Sequence, residues 1–187
     1  MKNLIKRCVK KSCFTALSLS LIATPAFAHP GEHTNGFWAG FVHPFTGLDH
    51  LVAMMLLGVW FALLTRTMAI KSGLASVGIF ALALLIGGQL IGGQLPENSI
   101  AAIEWAVLFS GLAVALLILF RMQLGQLAPV VAATLMASHG LVHGTEVTGN
   151  LIGYALGASA GMLVLVGLTY TATRVCLHLR AKQYSAQ

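Results

Sequence analysis

Charge is what this chain mostly lacks. Only 9% of its 187 residues are Asp, Glu, Lys or Arg, against 57% hydrophobic, whereas a soluble domain carries about a quarter charged residues. So few charges cannot coat a water-facing surface, which points to a chain whose outside meets lipid. Acid is scarcer still: Glu32, Asp49, Glu97, Glu104 and Glu146 are all there is. No glycine-rich phosphate-binding motif is present, so the chain itself carries nothing with which to use a nucleotide. The length fits one domain.

The formal charge of +6 invites a nucleic-acid partner, and its position argues against one. Lys2, Lys6, Arg7, Lys10 and Lys11 precede an apolar run, Phe14 to Ala23, and then Ala26-Phe27-Ala28. A basic start, a short apolar stretch and an A-x-A site make a secretory signal peptide. Cleavage after Ala28 is expected, dividing the chain into a signal, residues 1–28, and a transmembrane domain, residues 29–187. Removing those five basic residues from +6 leaves +1. Cys8 and Cys13 leave too, and Cys176 alone excludes a disulfide framework or thiolate metal site.

What remains is hydrophobic runs: Leu48–Leu64, Ser72–Gly92, Ile100–Phe120, Ala128–Val147 and Leu151–Thr171. Each has roughly the 17–25 residues needed to cross a bilayer. Inside lipid the backbone must satisfy its own hydrogen bonds, so helices are expected. Phe37–Val42 adds a half-helix or re-entrant piece, for an all-α bundle of five or six helices. Arg66 and Lys71, Arg121, and the group Arg174, Arg180 and Lys182 follow the first, third and last spans. With the new N-terminus outside, all of them fall in the cytoplasm, as positive residues should. This predicts a bacterial inner-membrane protein with a periplasmic N-terminus and a cytoplasmic C-terminus. Gly88 and Gly92, Gly140 and Gly144, and Gly153, Gly157 and Gly161 recur at the four-residue spacing that lets membrane helices pack closely.

Against this apolar background the polar residues stand out. A charge within a span costs several kcal/mol by most estimates, so it pairs, faces a cavity or binds an ion. The fourth run contains Ser138-His139-Gly140-Leu141-Val142-His143-Gly144-Thr145-Glu146. At about 100° per residue, His139, His143 and Glu146 share a strip about 60° wide. The first run opens with His43-Pro44-Phe45-Thr46-Gly47-Leu48-Asp49-His50. Pro44 suits the first position of a helix, and a continuous helix would put His43 and His50 on one face with Asp49 about 120° away. A break at Gly47 is the other reading, since discontinuous helices are common at transporter ion sites. Glu104 lies about one turn into the third run, with Ser110 deeper. All seven ligand-type residues fall toward the outer half. His29, exposed as the new N-terminus, and His33 form a looser capture pair outside.

Imidazole and carboxylate without thiolate suit Ni²⁺ or Co²⁺ and leave Zn²⁺ open. Imidazole must be neutral to ligate, so capture weakens below about pH 6–6.5. The two motifs resemble those of the HupE/UreJ family of nickel and cobalt permeases. His43-Pro-…-Asp49-His50 is similar to the family's H-x5-D-H. His139-Gly-…-His143-Gly-Thr-Glu146 is similar to F-H-G-x-A-H-G-x-E, with Ser138 in place of the aromatic and Val142 in place of the alanine. The likeness covers nearly the whole chain. It implies metal uptake rather than catalysis, a transported ion in place of a permanent cofactor, and a functional link to hydrogenase or urease. A homo-oligomer is left open. An intramembrane metalloenzyme, or a sensor that binds without translocating, is the alternative; oxidases of that kind use many histidines, usually toward the cytoplasm.

Overall fold

The computed structural model describes residues 36–91, 97–147 and 149–185. Within them the chain is all-α: α1 (Phe37–Thr46), α2 (Leu48–Leu63), α3 (Arg66–Ile86), α4 (Glu97–Leu119), α5 (Ala128–Glu146) and α6 (Leu151–Ser185). A π-helical turn, Gly87–Ile91, prolongs α3, and a 3₁₀ turn, Gly125–Leu127, leads into α5. The signal-peptide residues lie outside the described residues.

The helices are apolar on their outer faces as well as toward the core. On α3 the large apolar residues Ile70, Leu74, Leu82 and Ile86 are exposed, while Ser72 and Ser76 are buried along with Ala69, Phe80, Ala83 and Leu84. Water would penalise that arrangement; hydrocarbon does not, because lipid tails are as apolar as leucine. By length and composition, spans within Arg66–Gln89, Gly125–Thr145 and Leu151–Gln183 can each cross a membrane. A fourth crossing is formed if α1 and α2, bent by 80° at their junction, act together. At 16 residues, α2 is about 24 Å long, short of the roughly 30 Å hydrocarbon core, which is why it cannot qualify alone. The last helix runs to Ser185, well past the apolar stretch that ends near Thr171, because nothing after it breaks a helix.

Two glycine seams hold the bundle. Along α5, a Cβ added at Gly140 would strike the Phe80 carbonyl, and one at Gly144 the Leu84 carbonyl and the Gly88 amide. The contacts advance in the same order on both helices, so α3 and α5 lie parallel, backbone against backbone. Along α6, Gly157 and Gly161 meet the Phe37 and Phe41 carbonyls of α1, and Gly40 of α1 meets the Tyr154 carbonyl in return. Gly153 does not join this seam; its neighbour is the Asn150 side chain, which caps the start of α6 by accepting from the Gly153 amide at 2.9 Å. The core between the seams contains Met54, Leu57, Trp60, Leu84, Ile118, Met136 and Met162, each at most 2% exposed.

The far end of α2 is tied down by polar contacts to its carbonyls, which a helix terminus leaves unpaired. Gln123 Nε2 donates to the Leu63 carbonyl at 3.1 Å and Arg174 to the Ala62 carbonyl at 3.4 Å. Trp60 Nε1 donates to the Met122 carbonyl at 2.9 Å. The short helix is thereby fixed in depth.

Candidate metal centre

The break at Gly47 is what creates the site. Gly47 is extended (φ −84°, ψ 121°), closing α1 and opening α2 at once. His43 therefore stands in the last turn of α1, and His50 is the third residue of α2. Thr46 Oγ1 donates to the His43 carbonyl at 3.0 Å, satisfying one acceptor that the helix end orphans. Pro44 is not at a helix start. It lies inside α1, buried, because the apolar Phe37–Phe41 segment already forms the preceding turns. A proline there removes one backbone donor near the end of a helix whose last residue, Thr46, is two residues on.

Across the bundle, α5 brings His143, and the seam with α3 sets its depth. One ring nitrogen from each of His43, His50 and His143 lies within 4.8 Å of the other two. Ring centroids are 4.4 Å apart for His43–His143 and for His50–His143, and 5.1 Å for His43–His50. His50 Nε2 and His143 Nε2 stand 2.6 Å apart, close enough to share a proton. The rings are part-buried or buried, with His143 3% exposed. His139 sits one turn earlier on α5, 0% exposed, its ring 5.9 Å from that of His50 and 6.4 Å from that of His143. Tyr154 of α6 closes the far side of His43, with rings 5.8 Å apart.

Two consecutive helices, α1 and α2, and the sequence-distant α5 thus supply three imidazoles to one point. That set can hold a divalent transition ion, because each ring offers one nitrogen. The carboxylates named from the sequence are placed only by their helices. Asp49 is the second residue of α2, Glu146 the last of α5, and Glu104 falls two turns into α4 rather than one, because α4 starts earlier, at Glu97. The side chains of these three, like His29 and His33 altogether, lie outside the described residues.

Ser110 was not legible as part of the site. Its Oγ lies 3.2 Å from His139 Nδ1, across from α4 to α5. A serine in an apolar helix ordinarily bonds back to its own helix, and no spacing pattern signals a partner on another one.

An all-helical bundle with apolar outer faces and a buried histidine cluster defines a membrane protein built around a polar, metal-ligand-type site. The chain belongs to the HupE / UreJ family, whose model matches residues 17–186. It is 31% identical over 154 residues to Protein HupE of Rhizobium leguminosarum bv. viciae, covering 81% of this chain and 77% of that protein. No solved structure matches it.

Proposed function

We propose that this protein is a secondary permease that takes up Ni²⁺ or Co²⁺ across the bacterial inner membrane. The observation that carries the reading is the convergence of His43, His50 and His143 within 4.8 Å inside an apolar bundle. Three histidines from three helices in such a place have little to do for packing that leucine would not do better. Family membership supports the same conclusion, since the resemblance noted in the two motifs implies nickel and cobalt uptake.

The chemistry follows from the donor set. A divalent cation entering a low-dielectric bundle loses hydration worth far more than any single contact returns. Three neutral imidazoles replace water ligands but cancel no charge. Asp49 and Glu146, next to His50 in sequence and three residues after His143, are the groups we assign to that task. His139 extends the nitrogen ligands one turn deeper, and Glu104 on α4 and the outer pair His29 and His33 are assigned to approach and capture. Cleavage after Ala28 would leave the site on the periplasmic half, with every Lys and Arg after it at the cytoplasmic side. No step in this scheme makes or breaks a covalent bond, so the protein is assigned no catalytic residue. A link to hydrogenase or urease would make it the supplier of their metal.

The test is radiolabelled nickel uptake by cells and by sealed proteoliposomes. His143→Ala should abolish uptake while membrane protein levels stay unchanged. Wild-type uptake in that variant would overturn the assignment. Binding without entry into proteoliposomes would make the protein a metal sensor or store instead.

A further inference from the structure

Ser110 is 4% exposed, and its Oγ lies 2.6 Å from the Val107 carbonyl of its own helix and 3.2 Å from His139 Nδ1. His139 Nδ1 is in turn 3.2 Å from the Leu135 carbonyl. A carbonyl can only accept, so the short contact makes the Ser110 hydroxyl a donor to Val107. Its oxygen then has only lone pairs to offer across to α5. The Ser110 oxygen and the Leu135 carbonyl both meet Nδ1 as acceptors, so Nδ1 carries the ring proton. A neutral imidazole has one such proton, which makes Nε2 the lone-pair nitrogen and the only one able to bind a metal.

We propose that Ser110 is a positioning residue: it holds His139 in the Nδ1–H form, so that Nε2 ligates the ion as it passes one turn deeper than the His43–His50–His143 trio. The inference rests on the reading of the trio as the metal site. Metal-binding histidines almost always have their second nitrogen held in this way, and loss of the holding partner costs about 10–100-fold in affinity. Val107, Ser110 and Leu135 make the arrangement directional. The hydroxyl passes its own hydrogen along α4 and so cannot turn to donate to His139. Leu135 shares the task with Ser110, so the loss on removing the hydroxyl belongs at the lower end of that range.

The experiment uses the full protein purified in detergent, titrated with Co²⁺ and followed by visible absorption, alongside ¹⁵N NMR of labelled histidine to read the tautomers. Ser110→Ala should weaken Co²⁺ binding by about tenfold and mix the Nδ1–H signature of one histidine with the Nε2–H form. Ser110→Thr, which keeps the hydroxyl, should restore both. Wild-type affinity in Ser110→Ala overturns the proposal, and so does weakened binding with the tautomer signature unchanged, because that outcome is a packing defect. His143→Ala separates the two readings: if it loses Co²⁺, the trio stands whatever Ser110 does, and if it keeps Co²⁺, the trio itself fails.

Discussion

Substituting Gly144 by alanine tests the seam that places His143. The new Cβ would meet the Leu84 carbonyl oxygen, with Gly88 N at 2.7 Å and Leu84 C at 2.9 Å. Nonbonded carbon contacts are comfortable at about 3.5–4.0 Å, so α5 must back away from α3 by roughly 1 Å. The obstacles are backbone atoms, which cannot swing aside as the end of a side chain would. Overpacking of this kind costs about 1–3 kcal/mol, and the upper half of that range is expected. Gly78→Ala on α3 is the matched control, since a Cβ there meets nothing within 4 Å; helix propensity should make it stabilising by up to about 1 kcal/mol. His143 adjoins Gly144 and moves with it. A functional constellation tolerates displacements of about 0.5 Å, and 1 Å errors in positioned chemistry cost on the order of 100-fold. Gly144→Ala should therefore melt earlier in detergent and lose at least about tenfold in nickel uptake, while Gly78→Ala does neither. Equal behaviour of the two variants would refute the claim that backbone contact between α3 and α5 sets the site.

Trp60→Phe should lower thermal stability by about 1–3 kcal/mol, because it empties part of a fully buried volume and leaves the Met122 carbonyl without its donor. Metal affinity should hold, since Trp60 lies ten residues, about 15 Å, along α2 from His50; lost affinity with normal melting would contradict this division. Lowering the pH should weaken metal binding, because each proton gained removes the lone pair that a ring nitrogen donates. Co²⁺ affinity that stays constant as the pH falls, until the bundle itself unfolds, would mean that imidazoles do not hold the ion.

The helices were legible because lipid leaves one economical backbone solution and because apolar runs of the right length announce themselves. Both histidine motifs were legible as exceptions to that apolar background. The chain path between them was less so. Spacing alone could not choose between a continuous helix and a break at Gly47, because one residue's ψ decides it and both choices keep His43 near His50. Pro44 misled for a related reason: its preference for helix starts is real, but Phe37–Phe41 are as well suited to a helix as to a re-entrant loop, and once they form one Pro44 falls near its end. The glycine seams were half readable. Gly140, Gly144, Gly157 and Gly161 do face other helices, whereas Gly153 has the same spacing and faces Asn150, a distinction that depends on which side the neighbouring helix takes. Ser110 depends wholly on tertiary placement.

His50 and His143 are 93 residues apart in the chain and touch, and His43 arrives on a third helix. An ion held by all three behaves as a removable cross-link, one that only the assembled bundle can accept. Ligand that binds the folded chain alone stabilises it by about 2.7 kcal/mol at 100 times its dissociation constant. An ion carried as proposed would thus also be a fastening. Copies in a metal-starved membrane should unfold and be degraded sooner than copies that are occupied, and the amount of protein would follow the supply of the ion it is proposed to carry.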